Sequence, residues 1–359
     1  MNIRFKNYIK LFFSVIILFN SINTSILNAQ GFRGYYQYPD IYDNTIVFTS
    51  EGDIWKVSVN GGLAQRLTTH PEEERYANIS PDGKTLAYSA SYEGPTEIYT
   101  MPINGGITTR WTYESETSSV TNWSPDNKVI YQTQAYNKLP DEQLVTIDLK
   151  TKLKSVVPLY QASEGTQNEK GDWIFIRPAD HGDAAKRYVG GTARQIWKFD
   201  GKNEAVKLTN DYDGESHKPM WYDGRVFFIS DRDGIMNIWS MGSDGNNLEQ
   251  HTKHKEYDVR YANIHDGKIV YQHAADIWLL DVSTGSYNKI NISWASDLDQ
   301  LREKWDENPS RYITSVSSDP NGENIVVTAR GRVFVVPVKT GRTISFTENK
   351  GVRYRDAIF

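Results

Sequence analysis

The chain has 359 residues, with 40 Lys and Arg against 45 Asp and Glu, a net charge of −5, 38% hydrophobic residues and no cysteine. This balance leaves no basic footprint for nucleic acid, and the lack of cysteine excludes disulfides and thiol-linked lipid. The length accommodates more than one domain, held by core packing alone.

Residues 1–29 read as a signal peptide. Arg4, Lys6 and Lys10 precede the apolar run Leu11 to Phe19, and Leu27-Asn28-Ala29 forms a small-residue cleavage site. The run is short for a bilayer, so the expectation is export, with no membrane span after cleavage.

The body of the chain repeats itself. Arg75-Tyr76-Ala77-Asn78-Ile79 returns as Arg260-Tyr261-Ala262-Asn263-Ile264, each copy followed by an Asp-Gly turn. Weaker units align on an Ile-Trp pair: Ile54-Trp55, Ile98-Tyr99, Ile196-Trp197, Ile238-Trp239 and Ile277-Trp278, with Leu144-Val145 a degenerate copy and Val333-Phe334 a later one. The first six lie between about 39 and 52 residues apart, bracketing the roughly 40–45 of a four-stranded propeller blade. The apolar runs are short, β-branched or aromatic, and follow turn residues, as in Thr45-Ile46-Val47-Phe48 and Val226-Phe227-Phe228-Ile229. The fold class expected is all-β: a six-bladed β-propeller of four-stranded antiparallel blades over residues 34–292, around an open channel. The recurring Ile-Trp pairs are expected in the core between blades.

From Trp294 to Trp305 the segment is polar and loses its alternation, and it ends at Asn308-Pro309, so residues 293–311 read as a linker. The rhythm resumes with Tyr312-Ile313-Thr314-Ser315-Val316, a turn at Asn321-Gly322, Asn324 to Thr328 and Arg332 to Val336. Residues 312–359 are expected to be the first blade of a second propeller, truncated after Arg353-Tyr354-Arg355-Asp356.

Side chains that could carry chemistry are few. Ser216 and His217, beside Glu215, are adjacent on the chain, and adjacent residues do not direct an imidazole onto the neighbouring hydroxyl. Asp211-Tyr212-Asp213-Gly214 and Asp231-Arg232-Asp233-Gly234 open like calcium loops but lack the distal ligands. His251 and His254 would share a face only on a helix. The reading is therefore no catalytic residue, no metal site and no cofactor. The channel candidates are Arg75, Tyr76, Arg260 and Tyr261, on the strand before the Asp-Gly turn, with His181 and Arg187 in the long insertion between Arg177 and Ala193. The alternative for each arginine is a local pair with an acidic neighbour, Glu74 or Asp258.

The phrases Arg187-Tyr188-Val189-Gly190-Gly191-Thr192, Ser230-Asp231-Arg232-Asp233-Gly234 and Gly351-Val352-Arg353-Tyr354-Arg355-Asp356 resemble the N-terminal part of tricorn-type serine peptidases. The resemblance implies a six-bladed propeller followed by a seven-bladed one, a PDZ domain and a catalytic region outside this sequence. It implies a non-catalytic segment that admits or gates substrate for a periplasmic serine peptidase. Its partners would be peptides or unfolded polypeptide, the remaining domains and further copies of the protein. The basic pair that the family places after the second blade has no match here, since Tyr113 to Val120 is acidic and polar. The alternative is a free-standing TolB-like propeller that binds a protein and catalyses nothing.

Overall fold

The computed structural model describes residues 34–178, 186–298, 306, 308–346 and 351–359. The leader read from residues 1–29 and the candidate His181 lie outside the described residues. The described chain divides into two compact units, one before and one after residue 300.

In the first unit each copy of the repeat is one four-stranded antiparallel sheet of consecutive strands. Blade 1 holds β1 (Gln37–Tyr42), β2 (Thr45–Ser50), β3 (Asp53–Ser58) and β4 (Gly61–Arg66), and blade 2 holds β5 (Glu74–Ile79), β6 (Thr85–Ala90), β7 (Glu97–Pro102) and β8 (Thr109–Arg110). Blade 3 follows with β9 (Ser118–Trp123), β10 (Val129–Thr133), β11 (Gln143–Ile147) and β12 (Lys154–Val156), and blade 4 with β13 (Ser163–Gln167), β14 (Trp173–Arg177), β15 (Gln195–Phe199) and β16 (Val206–Lys207). Blade 5 comprises β17 (Ser216–Tyr222), β18 (Arg225–Ser230), β19 (Asn237–Gly242) and β20 (Glu249–Gln250), and blade 6 comprises β21 (Val259–His265), β22 (Lys268–His273), β23 (Asp276–Asp281) and β24 (Ser286–Lys289).

The first strands touch in ring order: β1 packs on β5, β5 on β9, β9 on β13, β13 on β17, β17 on β21, and β21 back on β1. A core cluster fills each of these seams. Because side chains alternate along a strand, neighbours in the Ile-Trp pair serve different seams. Ile54 joins the cluster between blades 1 and 2, while Trp55 joins the cluster between blades 6 and 1. Ile54, Ile98, Ile196, Ile238 and Ile277 are completely buried, each contributing roughly 1.5–3 kcal/mol by removal from water. The aromatic partners are less uniform. Trp55 and Tyr99 are buried, whereas Trp197, Trp239 and Trp278 are only half-buried.

The residue before each isoleucine explains why the outermost strand stays attached. In blades 1, 2, 4 and 5 a threonine after that strand, Thr68, Thr112, Thr209 or Thr252, accepts the isoleucine N–H at 2.8 to 3.2 Å. Thr209 and Thr252 then donate to Gln195 and Asn237 at 2.7 and 2.9 Å. In blades 1 and 2 the corresponding buried carboxylates, Asp53 and Glu97, pair with Arg66 and Arg110.

Ring closure uses β25 (Ile292–Trp294), which lies parallel to β4 on the outer edge of blade 1. Residues 293 and 294, read from sequence as linker, thus belong to the sheet. Gly61 makes room for this strap. It has φ +78°, and a Cβ there would lie 2.4 Å from the Asn291 carbonyl oxygen, the atom that accepts the Gly62 N–H at 2.9 Å. Trp294 closes over Trp55, with ring centroids 5.2 Å apart.

The second unit is a single antiparallel sheet of β26 (Ile313–Ser318), β27 (Asn324–Ala329), β28 (Arg332–Pro337) and β29 (Ile344–Ser345). Among its described hydrophobic side chains only Val326 and Val327 are buried. Tyr354 N–H donates to Gly331 O at 3.0 Å, laying the tail beside the sheet.

Candidate functional site

Five of the six inner strands carry a bulge at the same register. The pairing slips at Tyr38-Pro39, Tyr76-Ala77, Glu164-Gly165, Lys218-Pro219 and Tyr261-Ala262. In each case the first residue has φ between 47 and 54°, a left-handed conformation that costs an L-residue about 1–2 kcal/mol. A bulge re-aims the side chain it carries. Repeated around a ring, it directs one layer of side chains at the axis.

That layer is aromatic on one side and charged on the other. The Tyr38 ring lies 4.5 Å from Tyr76 and 4.4 Å from Tyr261, centroid to centroid, and Tyr76 and Tyr261 are 6.3 Å apart. Burial pushes the phenols of Tyr38 and Tyr76 up to about 12 and raises that of Tyr261 as well, so all three stay neutral. Opposite them, Glu164 accepts the Lys218 backbone N–H at 2.6 Å and lies 3.6 Å from His217 Nδ1. Burial alone would raise the Glu164 carboxyl, but His217, Lys218 and Arg194 together lower it to about 2. Its charge in turn helps keep the Tyr76 and Tyr261 protons in place.

The layer separates two cavities that share no residue. One, of about 320 Å3, lies where the inner strands begin and is bordered by Glu164, His217, Asp231, Arg260 and Tyr261. The other, of about 240 Å3, lies where those strands end and is bordered by Asp40, Asn122, Thr166, Asn263 and His265. Burial lifts the Asp40 carboxyl to about 7, against the Ile79 N–H that it accepts at 2.6 Å. The bulges thus turn three tyrosines toward the axis of the channel expected from the repeat.

Of the residues picked from sequence, Tyr76 and Tyr261 meet at the axis, whereas Arg75 and Arg260, one position earlier, are exposed. Arg75 pairs with Glu73 at 2.5 Å; the neighbour expected for it, Glu74, turns inward and accepts hydrogen bonds from Thr68 and Tyr92. Arg260 stands on the rim of the larger cavity, where Asp258 is taken by Lys186 at 2.6 Å. Arg187 reaches the same rim and donates Nε–H to Gly234 O at 2.7 Å. Tyr38, Glu164 and Lys218 escaped the sequence reading because their residue types differ and only their backbone register is shared. For Tyr38 a signal existed: Tyr38-Pro39-Asp40 matches Tyr76-Ala77-Asn78 in its pattern of Tyr, small residue and Asx.

Most of the remaining candidates are committed to structure. The Ser216 and Ser230 hydroxyls bond each other at 3.1 Å inside blade 5, and Ser230 donates to Glu215 O at 2.8 Å. Asp211 is clamped by Arg232 at 2.5 and 3.1 Å. His251 bonds Ser240 at 2.8 Å, while His254 bonds Tyr271 at 3.0 Å and stacks on His273. Among the described residues no group of three His, Cys, Asp or Glu side chains is placed to hold a metal.

Residues 33–286 match the family model of the tricorn protease N-terminal β-propeller domain. A tricorn protease homologue of Saccharolobus solfataricus is 28% identical over 345 residues, covering 90% of this chain and 30% of that protein. Tricorn protease homologue 1 of Streptomyces coelicolor is 27% identical over 328 residues, covering 89% of this chain and 30% of its own length. The chain thus spans about three-tenths of the relatives that it matches. The crystal structure of the tricorn protease superposes with a TM-score of 0.74 at 23% identity, over 88% of this chain and 32% of that one.

Proposed function

Because the chain belongs to the family of tricorn protease N-terminal β-propeller domains, we propose that it is the substrate-admitting or gating segment of an exported, periplasmic peptidase. The catalytic serine machinery is contributed by a region beyond this sequence. The second unit begins a further propeller of the same protein.

The observation that carries this reading is the tyrosine layer. Here five left-handed residues present three neutral phenols, one ionised carboxylate and one lysine between two cavities. Such strain persists where the surrounding structure imposes it, commonly at binding and switching sites. Aromatic rings with polar tips form a gate that an extended peptide displaces without unpairing a charge on the tyrosine side.

The test is made in the intact peptidase. Tyr38→Ala combined with Tyr261→Ala widens the axis, and the expected outcome is faster turnover of a long peptide relative to a tripeptide substrate. If the long-to-short ratio is the same in variant and parent, with the fold intact by circular dichroism, peptides do not pass along this axis.

A further inference from the structure

The larger cavity has features that gating alone does not use. Its floor is built from buried charge. Asp231 is 4% exposed; its Oδ1 accepts the Glu215 N–H at 3.1 Å and the Tyr212 O–H at 2.9 Å. Its Oδ2 is buried and has no hydrogen-bond partner. His217, 9% exposed, also borders the cavity and leaves Nδ1 without a hydrogen bond. A buried carboxylate oxygen without a donor is costly enough that native proteins rarely keep one without a reason.

The charge is also sorted by depth. Glu215 and Asp231 are buried and Glu164 is partly buried, with Arg194 the partly buried cation among them, paired to Glu215 at 2.6 Å. The exposed rim carries Arg187 and Arg260, neither of which has an ion-pair partner among the described residues. An acceptor-rich floor beneath a cationic rim matches a ligand that is positive at one end and negative at the other. A volume of about 320 Å3 lies at the small end of ligand pockets, which run to roughly 1,000 Å3, and suits two or three residues of peptide.

We propose that this cavity binds a short zwitterionic peptide, amino end first: the α-ammonium lies against the acidic floor of Asp231 and Glu164, while the carboxylate end lies toward Arg187 and Arg260. The assignment rests on the peptide-handling reading above. It adds a defined ligand class and an orientation, and it makes the cavity a place where short peptides compete with longer ones for the approach to the tyrosine layer.

The probes are Ala-Ala, N-acetyl-Ala-Ala and Ala-Ala amide, titrated into the 359-residue chain by calorimetry. Ala-Ala is expected to bind, and acetylation to weaken binding by at least about tenfold, because it removes a charge-assisted hydrogen bond. Asp231→Asn, which places an N–H donor against the ammonium, lowers affinity to the same degree. Arg260→Gln, on the exposed rim, brings the affinities for Ala-Ala and Ala-Ala amide together. The parent protein with three probes decides the matter even if Asp231→Asn misfolds. Equal affinity for free and acetylated peptide, or no binding of any probe, overturns the site. Neither result touches the long-to-short turnover ratio that tests the gate, so the two readings fail separately.

Discussion

Single side chains here set measurable properties through burial. Asp40 has its carboxyl raised from 3.8 to about 7, mainly by burial. A carboxyl whose folded value exceeds its unfolded value favours the fold when protonated. Its contribution is therefore fully present below about pH 4 and is lost as pH rises through 7. On this basis Asp40→Asn removes a stability decline on the order of 2–4 kcal/mol between those values, read from urea melts at pH 4.5 and 8. Glu74, lifted to about 8 by burial, acts in the same direction over a slightly higher window. Thr68 offers a second test. Its hydroxyl accepts the Ile54 N–H at 2.8 Å and donates to Glu74 at 3.1 Å, so Thr68→Val leaves a buried N–H unpaired and destabilises by about 1–3 kcal/mol. A Tm equal to that of the parent would show that water replaces the hydroxyl.

At the scale of the strand, legibility tracked how far residue type expresses position. The Ile of each Ile-Trp pair had to be apolar at a two-sided position between blades, and the repeat displayed it. The indole next to it reaches the surface in blades 4 to 6, so the pair was only half a core signal. Bulges were invisible for the opposite reason. Left-handed backbone is usually announced by glycine or asparagine, yet here it is occupied by Tyr38, Tyr76, Glu164, Lys218 and Tyr261, and no residue type marks the position. Arg75 and Arg260 looked like channel residues because they open the repeated phrase, but the slip one residue later aims their tyrosine neighbours inward instead. The strap is testable at this scale. Gly61→Ala puts a Cβ against the Asn291 carbonyl at a positive φ, and a loss of about 1–3 kcal/mol is expected. Amide exchange should accelerate at β25 and β4 and stay unchanged in blade 4; uniform acceleration would contradict a local strap.

Across the whole chain, the two units differ in how completely they bury their faces. Each blade of the first unit is covered on both sides, whereas the single sheet of the second leaves Ile313, Val316, Val338, Ile344 and Phe346 between 44 and 64% exposed. Exposed apolar surface of this kind marks a contact face. The full chain is therefore expected to bind the dye ANS, and a version ending at residue 298 to bind several-fold less at equal concentration. Equal fluorescence from the two would place the sticky surface on the ring.

The parallel strap also fixes an order in time. Each blade is a contiguous run of sequence, so blades 1 to 5 can each complete their own hydrogen bonding in N-to-C order as they become available. The seam between blades 6 and 1 cannot form until blade 6 has appeared, and β25 follows it. A folding ring thus remains an open arc, with the blade 1 face carrying Phe48 and Trp55 uncovered, until blade 6 and β25 are in place. Arrest or cleavage of the chain just before Ile292 would release a product whose blades are made but whose ring is unlatched. Such a product would leave the apolar seam of blade 1 open to solvent.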